Sequence, residues 1–89
     1  QLKDVETRLL FWISSRLRAS SPPPTAIQIP GTKRSLALEL GVTSETLSRT
    51  FAALRQRGLI RVSGTRIEVP SHAQLQTALD QRLTGHGTH

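Results

Sequence analysis

A short glycine-centred stretch, GVTSETLSR at residues 41–49, constrains the fold of this chain more than any other feature. Gly41 follows the apolar pattern of one helix and can adopt a positive φ without a Cβ clash, so it can end that helix. Thr43 or Ser44 can cap the next helix by accepting hydrogen bonds from its first backbone N–H groups. Leu47 then faces the first helix. Two helices joined at a tight, glycine-containing corner form a helix-turn-helix.

The outer face of the second helix has side chains that suit the reading of DNA bases. Glu45 can accept a hydrogen bond from a cytosine amino group, and Arg49 can donate two hydrogen bonds to guanine O6 and N7. Because residues four apart are neighbours on a helix, an exposed Glu45–Arg49 ion pair worth about 0.2–0.5 kcal/mol is the alternative interpretation. The glycine corner, the basic charge and a following hairpin favour base reading, and the helix is predicted to enter the major groove by its N-terminal end.

Length and charge limit the class of protein. The 89 residues suffice for one small domain, and twelve Lys and Arg against six Asp and Glu give a net charge of +6, which is typical of nucleic-acid binders. An anionic membrane would also attract this charge, but the basic residues are spread over several predicted elements and not along one amphipathic helix. No apolar run is long enough to span a bilayer. Without cysteines, the chain has neither disulfides nor a thiolate metal site.

The N-terminal part of the chain is predicted to contain a helix, a loop and a strand. Apolar spacing predicts a helix from about Asp4, its cap, to Arg18, with Phe11 and Trp12 in the core and not in a base-stacking platform. The proline-rich residues 19–25 predict a surface loop, with a ligand for a partner domain as the weaker alternative. Alternation over residues 26–30 predicts a short strand at a sheet edge.

Further elements follow along the remaining sequence. The first is a helix from Gly31 or Thr32 to about Leu40. The recognition helix, 44–57, runs from about Ser44 to Gln56 or Arg57 and is ended by Gly58. A β-hairpin of 59–62 and 66–69 turns at Gly64 and ends at Pro70, and a last helix, capped by Ser71, runs to about Leu83. Residues 84–89 are expected to be a disordered tail. The hairpin forms a wing whose Gly64 amide and Arg66 can reach a phosphate, although it also covers the core. The histidines His72, His86 and His89 do not have metal-site spacing.

The predicted fold class is therefore α+β, mainly α. It is a winged helix-turn-helix over residues 1–83, with a three-helix core, a β-hairpin wing and a short C-terminal helix. The start at Gln1, without an initiator methionine or a signal-peptide pattern, predicts a fragment of a longer cytoplasmic protein.

With these elements placed, the chain resembles the C-terminal DNA-binding domain of the Crp/Fnr superfamily of bacterial transcription regulators. Residues 4–10 resemble the start of that domain's first helix, and residues 32–37 resemble its TRQELA helix opening. Residues 41–49 match its GLTRETVSR signature, and GLI at 58–60 with GTRI at 64–67 matches its wing. The resemblance extends over roughly residues 4–79.

The resemblance implies a set of DNA contacts. Glu45, Ser48 and Arg49 contact bases, in a half-site similar to TTGAT that a homodimer reads twice as an inverted repeat. Ser44 is also assigned to the bases, although many relatives have arginine or valine there, which affects the outer half-site positions. Ser35 and Leu38 replace more usual polar and acidic residues. The phosphate contacts are assigned to Thr32, Lys33, Thr43, Thr46, Gly64 and Arg66.

The family also implies partners outside this chain. Full-length members have an upstream effector-binding domain and a long dimerisation helix, so no cofactor is expected in this domain and RNA polymerase is a candidate partner. A winged helix used for protein–protein contact, without DNA affinity, is the alternative function. An enzyme is not expected, because the sequence has no cysteine nucleophile, no phosphate-cradling glycine loop and no metal constellation. Single-stranded RNA binding is a weaker alternative, because the predicted fold has no exposed aromatic side chains on which bases could stack.

Overall fold

A computed structural model of the chain describes the backbone of residues 2–85 and the side chains of residues 5–83. Its elements are, in order, α1 (Leu2–Arg18), β1 (Ala26–Gln28), α2 (Lys33–Leu40), α3 (Ser44–Gln56), β2 (Arg61–Ser63), β3 (Arg66–Glu68), α4 (His72–Asp80) and a π-helical turn (Gln81–Gly85). The fold is a mainly helical winged helix-turn-helix, which confirms the predicted fold class.

Helix α1 forms the centre of the core. Leu9, Leu10 and Ile13 are fully buried on it, and it packs against α2, α3, α4 and β1. The helix starts before Asp4, so the prediction that Asp4 caps it is wrong. The prediction that Phe11 lies in the core is also wrong, because 54% of its surface is exposed. At about 100° per residue, Phe11 lies on the side of α1 opposite to Leu9 and Ile13.

The helix-turn-helix corner forms as the sequence predicts. Gly41 ends α2 with φ +74°, and its N–H donates to the carbonyl of Leu38 at 3.1 Å. Of the two candidate caps, it is Thr43 that caps α3, by accepting from the N–H of Thr46 at 3.1 Å. Of the two predicted ends of α3, Gln56 and Arg57, the structure shows Gln56, with Arg57 as the C-cap and Gly58 at φ +74°.

The wing belongs to a three-stranded antiparallel sheet with strand order β1-β3-β2. The hairpin turns over two residues, Gly64 and Thr65, since Ser63 is paired with Arg66, and Gly64 has φ +60°. The predicted edge strand is confirmed as β1, which pairs with β3 through Ile27 and Ile67. Both of these isoleucines are buried, so the inner face of the sheet completes the core.

The C-terminal helix closes the core on the side of α1. Ser71 caps α4 as predicted, and Leu75, Ala78 and Leu79 are buried. The helical backbone continues past the predicted end at Leu83, through the π-helical turn to Gly85. Thr84 and Gly85 of the predicted tail therefore belong to this turn. The rest of that prediction, residues 86–89 with His86 and His89, lies outside the described residues.

A buried carboxylate ties three elements together. Glu6 of α1 has only 7% of its surface exposed and accepts hydrogen bonds from Arg57, at 3.4 Å, and from Arg82 of the π-helical turn. Arg57 directly follows α3. One acidic side chain thus joins the start of the chain to the end of α3 and to the C-terminal turn.

The described part of the chain has neither a membrane-spanning helix nor a group of metal ligands. No helix there is long and apolar enough to cross a membrane. No group of three or more acidic or histidine side chains among the described residues could hold a metal ion.

Candidate nucleic-acid interface

Helix α3 has one buried face and one free face. Leu47, Phe51 and Leu54 are buried, and the buried hydroxyl of Thr50 donates to the carbonyl of Thr46 at 2.8 Å. The side chains predicted to contact bases are all exposed on the other side of the helix: Ser44, Glu45, Ser48 and Arg49. The structure therefore brings these four side chains together on one solvent-facing surface at the N-terminal half of α3.

Glu45 and Arg49 form the exposed ion pair that the sequence offered as an alternative. The distance from Arg49 Nη2 to Glu45 Oε2 is 3.0 Å, and their side chains are 71% and 75% exposed. A solvated i,i+4 pair of this kind contributes only about 0.3–0.5 kcal/mol. Because this energy is small beside a bidentate base contact, the ion pair can open or turn as a unit toward DNA at little cost.

The N-terminus of α3 presents hydrogen-bond donors next to that face. The hydroxyl of Thr43 donates to Thr46 Oγ1 at 2.9 Å, while Thr43 Oγ1 also accepts from the Thr46 N–H. Two hydroxyls hold two protons, and only one of them is used between the two residues. The other proton of the Thr43–Thr46 pair is therefore available to a phosphate oxygen, beside the positive end of the helix dipole.

The N-terminus of α2 is also capped by a threonine. Thr32 caps it in a reciprocal arrangement: its Oγ1 accepts from Ser35 N–H at 3.1 Å, and its N–H donates to Ser35 Oγ at 3.0 Å. Since the first N–H groups of a helix lack partners within it, this cap leaves the backbone donors of Lys33 and Arg34 directed at solvent. Both side chains are exposed as well.

Arg34 is a further candidate for a phosphate contact, and it was not predicted from the sequence. It is exposed in the first turn of α2, next to Lys33, and it has no carboxylate within 4.0 Å among the described side chains. Its position directly after Lys33, in the first turn of a capped helix, was the available signal. It adds a cation next to Lys33 at the N-terminus of α2.

The wing tip is less cationic than the sequence implies. Arg66 Nε lies 3.4 Å from Glu68 Oε2, two residues along the same strand, so a carboxylate partly neutralises it. Thr65 Oγ1 accepts from Gln28 Nε2 of β1, which ties the tip to the edge strand. The backbone at Gly64, with its positive φ, remains at the exposed turn. Arg61 of β2 is exposed and was not predicted as a contact.

Comparisons with known proteins give the family context of this surface. A family model described as a Crp-like helix-turn-helix domain matches residues 7–78. The solved structure of the Thermus thermophilus catabolite activator protein matches with a TM-score of 0.74 and 25% sequence identity, over 91% of this chain and 36% of that one. A search of curated protein sequences gave no significant match.

Two further solved structures show the same fold at lower identity. A putative cAMP-binding regulatory protein from Silicibacter pomeroyi DSS-3 matches with a TM-score of 0.70 and 21% identity, over 85% of this chain and 32% of that one. FixK2 from Bradyrhizobium japonicum matches with a TM-score of 0.68 and 23% identity, over 82% of this chain and 37% of that one. The chain thus spans about a third of the length of the structures it matches.

Proposed function

Since the chain belongs to the Crp-like helix-turn-helix domain family and is a DNA-binding domain of a transcription regulator, we propose how it reads DNA. The domain binds double-stranded DNA sequence-specifically, with the N-terminal half of α3 in the major groove. The observation that supports this most strongly is the exposed face of Ser44, Glu45, Ser48 and Arg49, opposite a buried apolar face. The fold of this family is regulatory and not enzymatic.

Base discrimination is assigned to that face. Arg49 donates its planar fork to a guanine, and Glu45 accepts from a cytosine amino group on the same surface. Ser48 contacts a thymine, and Ser44 lies at the first turn, toward the outer positions of the half-site. The proposed half-site is similar to TTGAT, as the Glu45-x-x-Ser48-Arg49 arrangement of the Fnr-like members implies.

Affinity and register are assigned to two helix N-termini and the wing. The α2 N-terminus contributes Thr32 and Lys33, and the α3 N-terminus contributes the hydroxyl proton of the Thr43–Thr46 pair that is not used between the two residues. Backbone N–H groups at helix N-termini are suited to phosphate oxygens because the helix dipole favours an anion there. The Gly64 turn and Arg66 add contacts from the wing, and phosphate contacts of this kind position a protein without reading sequence.

The whole regulator is proposed to act in the bacterial cytoplasm as a homodimer on an inverted repeat, with RNA polymerase as a further partner. This chain matches only about a third of each of these structures, which leaves room for effector binding and dimerisation in another domain. The domain described here is proposed to need no cofactor of its own.

The test is fluorescence anisotropy on a TTGAT-N4-ATCAA duplex and on a scrambled duplex of equal length, over a series of salt concentrations. We expect tighter binding to the first duplex and a steep salt dependence, because phosphate contacts release counterions. Steep but equal binding to both duplexes would contradict the half-site and leave the DNA-binding role intact. No binding at low salt would favour the alternative, a winged helix that contacts another protein.

A further inference from the structure

A groove between α1 and the end of α2 takes no part in the proposed DNA contacts. Its volume is about 610 Å³, which is in the range of sites that accept a small ligand or a few side chains. Its walls combine aromatic, apolar and charged side chains, namely Arg8, Phe11, Trp12, Arg16, Glu39 and Leu40. None of these residues belongs to the surface assigned to bases or phosphates.

Phe11 is the apolar anchor of this groove. It is 54% exposed, although the neighbouring apolar side chains Leu9, Leu10 and Trp12 on α1 are buried. A single exposed apolar side chain is common on protein surfaces and needs no explanation by itself. Here, however, it forms the wall of a concave site, so a partner side chain that fills the groove would remove the phenyl ring from water. Burial of an aromatic ring is among the largest contributions that one residue makes to an interface.

The charges of the groove indicate what kind of partner fits. Arg8 Nη1 donates to the carbonyl of Leu40 at 3.0 Å, and the Arg16 guanidinium lies 4.7 Å from the centre of the Trp12 ring. Neither arginine has a carboxylate within 4.0 Å among the described side chains.

The acidic side chain in the groove, Glu39, is already engaged. Its Oε2 accepts from Trp12 Nε1 at 3.2 Å. Among the described side chains, the groove thus holds two positioned guanidinium groups that form no ion pair, beside an apolar wall. The complementary ligand has an apolar side chain flanked by carboxylates.

The aromatic geometry argues against a nucleic-acid base in this groove. Trp12 is only 8% exposed, and Arg16 already covers a face of its ring. Single-stranded nucleic acids bind by stacking bases on open aromatic faces, and Trp12 does not offer one. We propose that the groove docks an acidic peptide segment of a partner protein, which places an apolar side chain against Phe11 and carboxylates beside Arg8 and Arg16.

The proposal can be tested by selecting a random peptide library, displayed on phage, against the 89-residue chain. Trp12 is the single tryptophan of the sequence and lies in the groove, so its fluorescence reports on occupancy. We expect the enriched peptides to combine Asp or Glu with aromatic or branched aliphatic residues. When synthesised and titrated, they should change the Trp12 emission saturably.

Two variants connect the peptides to the groove. Phe11→Ala should weaken peptide binding about tenfold, as expected for an aromatic anchor, and Arg16→Gln should weaken it while lowering its salt dependence. Arg55→Gln is the matched control, because Arg55 is an exposed arginine of α3 outside the groove, and it should leave peptide affinity unchanged. Since the proposal does not depend on the DNA contacts, Phe11→Ala should bind the duplex as the unchanged chain does.

Several outcomes would overturn the proposal. These are the absence of any enriched peptide, the enrichment of basic or uncharged peptides, and equal affinity of the peptides for the unchanged chain and for both groove variants. A single-stranded oligonucleotide that displaces the peptide and changes the Trp12 emission itself would replace the protein partner with a nucleic acid.

Discussion

The hypothesis that α3 reads bases depends on Arg49 more than on any other side chain. Its guanidinium is exposed and is held only by a weak ion pair with Glu45, so it is free to exchange that partner for a guanine. The planar fork, with two parallel donors, is what separates arginine from lysine at such a position.

Arg49→Ala should therefore weaken binding to the specific duplex by about 1–3 kcal/mol and abolish base preference at the contacted position. Arg49→Lys should fail as well, because an ammonium group cannot form the bidentate contact. The measurement is the ratio of dissociation constants on specific and scrambled duplexes, with Arg55→Ala as a control for the loss of one cation from the same helix. An equal loss on both duplexes would contradict base reading by Arg49.

Lys33 serves for comparison, because it is proposed to contact a phosphate and not a base. It lies in the first turn of α2, and its side chain is exposed. Lys33→Ala should weaken binding to all duplexes alike and reduce the slope of log K against log salt by about one unit. Anisotropy titrations at several salt concentrations measure this slope, and a loss confined to the specific duplex would show that Lys33 reads bases instead.

Among the contacts between elements, Glu6 links α1 to the end of α3 and to the π-helical turn. It is buried, and the guanidinium groups of Arg57 and Arg82 lie at its carboxylate from two other elements. Removing its charge leaves partly buried donors with a weaker acceptor. We expect Glu6→Gln to lower the free energy of unfolding by about 1–3 kcal/mol, the usual cost of an unsatisfied buried group.

Urea denaturation measures this cost, and Glu45→Gln provides the matched control. Glu45 pairs with an arginine as Glu6 does, but its side chain is 75% exposed, so its substitution should change stability by less than about 1 kcal/mol. Equal stabilities for the two variants would show that the buried cluster does not hold the elements together.

The element boundaries show what local sequence could predict. Gly41 and Gly58 both adopt positive φ at helix ends, and Thr43 and Ser71 cap the helices that follow them, so these boundaries depend on neighbouring residues alone. Phe11 was misplaced because a run of apolar residues widens the predicted stripe, whereas helical geometry turns Phe11 away from the core.

Contacts between residues far apart in the chain could not be predicted from the sequence. Arg57 and Arg82 lie 51 and 76 residues from Glu6, and no local pattern connects them. The shared exposed face of Ser44, Glu45, Ser48 and Arg49 was easier to predict, because it follows from the periodicity of one helix. Arg66 and Glu68 are two residues apart, so they share a face only if the segment is a strand. Their ion pair could therefore be predicted only after β3 had been assigned.

At the scale of the whole molecule, the domain offers a single recognition helix, so specific affinity should depend on pairing two copies. Fusing a parallel two-stranded coiled coil before α1 should raise affinity for an inverted repeat by about 10²–10⁴, because the second half-site is then bound at high effective concentration. A duplex with one half-site should show little gain. Equal gains on both duplexes would contradict recognition of an inverted repeat by a dimer.

Helix α1 contacts α2, α3, α4 and β1, and the carboxylate of Glu6 anchors it to the end of α3. It is thus the central element against which the other helices and the edge strand pack. A close-packed interior transmits a displacement and does not absorb it. A torque applied to α1 is therefore expected to turn the recognition helix and the wing as one rigid body. Such a rotation would change the orientation of the proposed DNA-binding face without refolding of the domain.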